Sequence, residues 1–354
     1  MAGLNIAMIN GIRPMSGSGD GITEYAYNMY LQLSKKNSVD LLYSIERAKK
    51  NDTLGLMKVN SGLSSKARAA AKESHDIFHI VNQEVGFAAK DIKAVNSLNR
   101  VVTTIHDVSR FEKGLHRGVL QNAYNALIRR SVKNAIRSSD FLIFDSSQTM
   151  EEVKKRFAIG HGAVVNIGID SRFSNKIPAR RDRHFTVGYL GSFAYHKNVE
   201  VILRAARLLK DAKIDFRIYG AGIENRNLLD FIDKNNLKRV GMMGFAPEAK
   251  KAQVYDGFDA FVFPSLYEGF GLPILEAQAR GVPVIIYRHG KIPREVRKYC
   301  FEAEDEEHMA MIIKTLKENG YNEKIRRAAT AYARGFTWEK CAKETSRIYK
   351  KLVG

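Results

Sequence analysis

Short apolar runs of strand length alternate with amphipathic stretches of helix length from one end of the chain to the other, and this alternation restricts the fold most. Strands buried on both faces read as continuous apolar runs, so the pattern predicts parallel sheets covered by crossover helices and excludes sandwiches and helical bundles. In the first half the predicted strands are Leu4–Asn10, Val39–Tyr43, Ile77–Val81, Val101–His106, Phe141–Asp145 and Val164–Asn166, with helices at Gly21–Leu33, Arg117–Arg137 and Thr149–Arg156. A second series has strands at Val187–Tyr189, Phe216–Tyr219, Gly241–Met243, Ala260–Phe263 and Val284–Ile286. Its helices fall at Asn198–Lys210, Glu224–Asn235, Glu248–Gln253, Pro273–Ala279 and Asp305–Lys317, and a terminal helix spans Thr337–Leu352. Glu302–Glu307 and Glu151-Glu152 read as solvated acids at helix starts.

Ile169 to Arg183 is polar and basic and has neither period. A chain of 354 residues holds about two domains. The expected division is therefore a first α/β domain over 1–170, a linker over 171–185, a second over 186–335, and a C-terminal segment over 336–354 that packs back on the first.

Lys and Arg outnumber Asp and Glu by 57 to 38, a formal charge of +19, which favours an anionic partner. The basic residues are dispersed and no helix-turn-helix, RRM or zinc-finger pattern occurs, so nucleic acid is not expected. The 2 cysteines, Cys300 and Cys341, have no CxxC spacing, which excludes a metal knuckle and a disulfide framework and fits a reduced, cytoplasmic setting. Met1 to Asn10 reads as a buried strand rather than a secretion signal, and no run reaches the ~20 apolar residues of a spanning helix. The helix from Arg117 places Leu120, Tyr124, Leu127 and Ile128 on an apolar side and gathers Arg129, Arg130, Lys133 and Arg137 toward one end. That end is expected to meet an anionic inner membrane face, at ~1 kcal/mol per basic residue.

The densest chemical signal is the stretch from Phe263 to Glu276, a strand feeding a glycine-rich turn and a helix. Pro273 suits the first helical turn, so the amides of Phe270, Gly271 and Leu272 would lie at a helix N-terminus able to hold an anion. Glu268 and Glu276 would flank those amides as acceptors for ligand hydroxyls. Lys197, between a strand and a helix, can meet a diphosphate, and His106 ends a parallel strand, where α/β folds bind ligands. Gly17-Ser-Gly-Asp-Gly21 offers amides after the first strand but lacks the dinucleotide spacing. An ordinary structural role stays open for each: a solvated loop acid, a dipole complement, an exposed lysine, a satisfied core histidine, a plain loop.

Pro264-Ser-Leu-Tyr-Glu-Gly-Phe-Gly-Leu-Pro-Ile-Leu-Glu-Ala277 resembles the Glu, seven residues, Glu signature of retaining glycosyltransferases, family 4 in particular. Gly17–Gly21, His106-Asp107, Asn166-Ile-Gly-Ile-Asp170, Gly188–Asn198 and Phe336-Thr-Trp338 resemble that family's other motifs in order and spacing. The resemblance implies a GT-B fold, two Rossmann-like α/β/α domains facing each other across a cleft. It implies transfer of a hexose from a nucleotide-diphosphate sugar, with retention of configuration. Catalysis would rest on His106, which contacts the transferred sugar, on Lys197 and on Glu268. Gly19, Asp20 and Gly21 would face the donor diphosphate and the acceptor, Ser192 and Lys197 the diphosphate, and Phe270, Gly271 and Leu272 the phosphate. Glu268 would hold sugar hydroxyls, Glu276 the ribose, and Gly222 and Phe245 the base; Asp107 would orient local backbone.

The family's usual arginine near the lysine is replaced here by Ser192 and His196. Either His196 substitutes, Arg288 or Arg294 reaches in, or the enzyme is slow. No Asp-x-Asp follows an apolar strand and no His/Cys cluster occurs, so neither a metal nor a cofactor is expected beyond the GDP- or UDP-sugar itself. The His196-Lys197-Asn198 form leans toward mannose. A glycan or polyprenyl-linked acceptor would use the loops Ser44–Ser65 and Ser109–Gly118. A weak sugar-nucleotide binder, or an epimerase or phosphorylase of the same fold, is the alternative.

Overall fold

The computed structural model of the chain describes residues 3–15, 21–45, 53–112, 114–115, 119–175, 177, 184–220 and 225–354. Two units emerge, Met1–Gly168 with Trp338–Gly354, and Ile169–Thr337. Among the described residues no helix is long and apolar enough to cross a membrane.

The first unit is built on six parallel strands, β1 (Asn5–Ile9), β2 (Ser38–Leu42), β3 (Ile77–Ile80), β4 (Val101–Ile105), β5 (Phe141–Phe144) and β6 (Gly162–Val164). They lie in the order β2-β1-β3-β4-β5-β6. The helices are α1 (Gly21–Leu33), α2 (Thr53–Ala70), α3 (Phe87–Val95), α4 (Val119–Ser138) and α5 (Ser147–Arg156). Every expected strand and helix of this half is present, with β6 two residues early and α4 two residues late.

Helices α2 and α3 were not predicted, and α2 occupies much of the stretch expected as a variable loop at Ser44–Ser65. Gly55, Gly62 and three serines weaken its propensity, so tertiary packing decides. Leu63, Ala67 and Ala70 join Ala88, Ala89 and Ile92 of α3 against Ala7, Ile9, Phe78 and Ile80 of the sheet. A second cluster joins Ile128, Val132 and Ile136 of α4 to Ile105, Leu142 and Phe144.

The second unit repeats the plan with β7 (Phe185–Leu190), β8 (Ile214–Tyr219), β9 (Val240–Gly244), β10 (Ala260–Phe263), β11 (Val284–Tyr287) and β12 (Phe301–Ala303). All pairs are parallel, in the order β12-β11-β10-β7-β8-β9. Its helices are α6 (Val199–Leu208), α7 (Arg226–Lys234), α8 (Lys251–Asp256), α9 (Leu272–Ala279), α10 (Arg294–Arg297), α11 (Glu306–Asn319) and α12 (Glu323–Arg334). The three-residue β12 was too short to read, and it takes Glu302 from the run expected as helix-start acids. Sequence order reverses at β7, which has β10 on one side and β8 on the other; ligands of such sheets bind beyond the strand ends at that reversal.

Residues 171–175, expected to begin a linker, are part of this second unit. A 3-10 turn at Ser171–Ser174 is capped by Asp170, Phe173 is buried, and Arg172 donates to the Glu248 carbonyl (2.7 Å). The chain returns to the first unit at Trp338, and α13 (Trp338–Val353) packs on α1 there.

Helix α13 is locked by a buried polar chain. Tyr349 Oη meets His79 Nδ1 (2.5 Å), His79 Nε2 meets Thr104 Oγ1 (2.8 Å), and Tyr25 Oη reaches the same Thr104 (3.1 Å). Burial, with the charge of His106 nearby, drives the His79 pKa down to about 3. The unfolded chain therefore binds one more proton than the folded one between about pH 3 and pH 6.5, and stability falls as pH drops through that window. His79→Gln keeps a hydrogen-bonding side chain without the titration. Urea unfolding followed by Trp338, the only tryptophan, is expected to show a pH slope shallower by about 1.4 kcal/mol per unit between pH 6 and 4 in this variant. Equal slopes would refute the neutral, buried His79.

Candidate active site

Three loops leave the strand ends beside the β7 reversal, and backbone bonds zip them together. The Leu266 amide donates to the His196 carbonyl (2.7 Å), Lys291 to Leu266 (2.9 Å), and Glu268 to Lys291 (2.9 Å). After β7, Gly191 and Gly220 let two loops touch: a Cβ on Gly220 would sit 2.1 Å from the Gly191 carbonyl oxygen. Tyr189 Oη donates to the Ser192 carbonyl (2.7 Å) and fixes the turn, leaving the Ser192 side chain exposed. Asn198 enters α6 in the left-handed region (φ 52°), where asparagine is tolerated.

This framework brings Lys197 and Glu268 together. Lys197 Nζ lies 2.6 Å from Glu268 Oε1 and 5.5 Å from the Phe263 ring centre, with side chains 18% and 11% exposed. The ammonium expected to meet a diphosphate is thus held by the carboxylate expected to hold sugar hydroxyls. A ligand supplying an anion and hydroxyls would satisfy both groups separately.

Beside the pair, α9 begins without a side-chain cap. Gly271 adopts φ 102°, a conformation that requires glycine, and Pro273 occupies the first turn, as expected. The leading amides of such a helix have no intrahelical acceptor and carry its partial positive charge. Phe270 is buried edge-on against Phe336 (6.1 Å).

Glu276, one turn into α9, is largely buried, and Tyr255 Oη donates to its Oε2 (2.8 Å). Burial raises its pKa and the Lys251 charge opposes the rise. Phe245 is 57% exposed after Gly244, which turns at φ 74°. Gly222 lies outside the described residues, as do Gly19 and Asp20; Gly21 opens α1 with free space where a Cβ would stand. Arg288 pairs with Glu304 and is not recruited to Lys197, while Arg294 is exposed at the start of α10.

In the first unit, His106 is buried between two acceptors, Asp145 Oδ2 at Nδ1 (2.5 Å) and the Val81 carbonyl at Nε2 (2.8 Å). Both partners accept, so both ring nitrogens carry hydrogen and the ring is an imidazolium. Burial pushes its pKa down, but the Asp145 charge and hydrogen bond, with the Val81 carbonyl, outweigh it and leave the pKa raised. Both ring nitrogens that could meet a sugar have protein partners here. Asp107 accepts from the Ser109 amide and hydroxyl (2.8 and 2.6 Å), an orienting role as expected.

On α4 the outward face carries Arg130, Lys133 and Arg137, whereas Arg129 is half-buried and donates to the Asn125 carbonyl (3.3 Å). Tyr124 and Ile128, on the expected apolar side, belong to the core. Sequence reasoning missed Tyr189, Tyr255, Asp145 and Lys291. Only Asp145 carried a signal, a carboxylate closing an apolar strand beside His106.

Residues 170–336 match the family described as Glycosyl transferases group 1. O-antigen chain mannosyltransferase B of Escherichia coli is 26% identical over 274 residues, covering 72% of this chain and 71% of that one. Sucrose-phosphate synthase of Thermosynechococcus elongatus superposes with a TM-score of 0.81 at 18% identity over 98% of both chains. HepE of Anabaena, solved with UDP and glucose, gives 0.71 at 16% identity over 98% of this chain and 99% of that one. The fold they share is the GT-B fold expected from the sequence, with two α/β units each built on a parallel sheet.

Removing one member of the Lys197–Glu268 pair deprives a largely desolvated charge of a counter-charge 2.6 Å away. Lys197→Met and Glu268→Gln are each expected to lower unfolding free energy by about 1–3 kcal/mol. In the double variant the losses should sum to clearly less than the two singles, as read by urea denaturation. Strict additivity would contradict the pair.

Proposed function

We propose that this chain, a glycosyltransferase whose residues 170–336 belong to the glycosyl transferases group 1 family, moves a hexose from a nucleotide-diphosphate sugar to a glycan or lipid-linked acceptor with retention of configuration and without a metal. The observation that carries the reading is the Lys197–Glu268 pair beside the uncapped N-terminus of α9, at the reversal of a parallel sheet. An arriving diphosphate draws the ammonium and the helix amides to its oxygens, positive groups already in place where negative charge develops. Glu268, released from Lys197, accepts from sugar hydroxyls.

The anomeric carbon–oxygen bond to phosphate breaks and a bond to the acceptor oxygen forms on the same face. The acceptor's proton passes to the departing phosphate oxygen, so no side-chain nucleophile takes part. Glu276 holds the ribose. His106, an imidazolium held on both sides, serves as a fixed positive group rather than a base. Serine at 192 in place of an arginine fits a modest turnover. Mannose is the favoured sugar, supported by the name of the Escherichia coli relative, and UDP-hexoses are the second choice. Arg130, Lys133 and Arg137 give the acceptor-bearing side an attraction to anionic lipid.

The test is nucleotide diphosphate release in EDTA across GDP-mannose, UDP-glucose, UDP-GlcNAc, UDP-galactose and ADP-glucose, with acceptor lipids in neutral or anionic vesicles. One donor is expected to turn over, faster on anionic vesicles, and Lys197→Ala is expected to lose about 10–100-fold, the worth of a charge-assisted contact. Full activity in Lys197→Ala removes the diphosphate assignment, loss in EDTA removes the metal-free mechanism, and equal rates on both vesicles remove the lipid attraction.

A further inference from the structure

Helix α8 is fastened to α9 by two consecutive residues. Tyr255 donates to Glu276 Oε2 (2.8 Å), and Asp256 receives Nε and Nη2 of Arg280, four residues beyond Glu276 (2.7 and 2.8 Å). Arg280 extends the fastening to the Asn175 carbonyl (2.8 Å). The Tyr255 ring has no exposed surface and meets Phe173, Phe258 and Phe261 edge-on, with centres 5.9, 6.1 and 5.3 Å away. A ring packed this way cannot swing aside, so its hydroxyl is a fixed donor to one carboxylate oxygen. The other oxygen, Oε1, has no protein donor among the described residues.

We infer that Tyr255 is a positioning residue for the donor: it pins Glu276 through Oε2 so that Oε1 is presented to a ribose hydroxyl of the nucleotide. The inference rests on the reading of Glu276 as a donor-binding carboxylate. A carboxylate with one oxygen pinned has lost its freedom to flip before the ligand arrives, which is the gain of preorganisation. Tyr255 also sustains the charge that binding requires. The groups facing Glu276 are Lys251 and Arg172, which favour its ionised form, Glu248, which opposes it, and the Tyr255 hydroxyl, which favours it. Loss of that hydroxyl moves protonation of Glu276 to higher pH, so ribose binding weakens sooner as pH falls.

Calorimetric titration of the full chain with GDP and with UDP, from pH 5 to 8, tests this in Tyr255→Phe and Glu276→Gln side by side. For whichever nucleotide binds, Tyr255→Phe is expected to weaken affinity about 5–10-fold at pH 7, the worth of about one ordinary hydrogen bond. Its acid-side weakening should begin at higher pH than in the unsubstituted protein. The effect should shrink below about two-fold with the 2′-deoxy or 3′-deoxy nucleotide that lacks the bound hydroxyl. Unchanged affinity and pH dependence in Tyr255→Phe, with weakened binding in Glu276→Gln, overturns the inference alone. No change in either variant overturns the ribose reading beneath it. If Tyr255→Phe does not fold, 3-fluorotyrosine placed at 255 strengthens the donor and should shift the acid limb to lower pH; an unmoved limb overturns the inference.

Discussion

The ion pair between Lys197 and Glu268 organises the loops at the strand ends beside β7 in the second unit. Neither charge is solvated well enough to stand alone, so each loop is registered by the other's requirement for a counter-charge. The backbone bonds linking residues 196, 266, 268 and 291 hold that register, and the close approach of Gly191 and Gly220 makes room for it. The two charges cancel each other across 2.6 Å. On the proposed reading, an anion with attached hydroxyls would separate the two groups and satisfy both, whereas a bare anion would satisfy only the lysine.

The first unit solves a different problem. Its C-terminal helix arrives after the second unit is complete and is tied down by Tyr349 on His79, Trp338 on Tyr25, and Tyr25 in turn on His106 (ring centres 4.7 Å apart). Two buried histidines a strand apart are held in opposite states. His79 faces hydroxyls that can donate or accept and stays neutral; His106 faces a carboxylate and a carbonyl that only accept and stays charged. Their stability contributions have opposite signs. His106 stabilises at low pH and loses its effect as pH rises through its raised value, while His79 destabilises below pH 6.5.

The layered fold was legible because parallel strands buried on both faces announce themselves as apolar runs. What escaped was local and short. Helix α2 is set by the packing of Leu63 and Ala67 against propensity, and β12 is only three residues long. Pro273 marked the start of α9, while Lys197 and Glu268 could be singled out only through the resemblance of their motifs to a known family. Their mutual pairing could not, since it depends on two loops 71 residues apart meeting at one edge. Residues that act through others, Tyr255 on Glu276 and Asp145 on His106, left little trace because their partners are distant in sequence. The three expected ligand contacts at Gly19, Asp20 and Gly222 lie outside the described residues.

The most direct test of the central claim is calorimetric comparison of nucleoside diphosphate with nucleoside monophosphate, GDP against GMP and UDP against UMP, in the unsubstituted protein and in Lys197→Met. The diphosphate of one base is predicted to bind about 10–100-fold tighter than its monophosphate, and the preference is predicted to collapse in Lys197→Met. A preference that survives the substitution, or the absence of any nucleotide binding, would contradict the account.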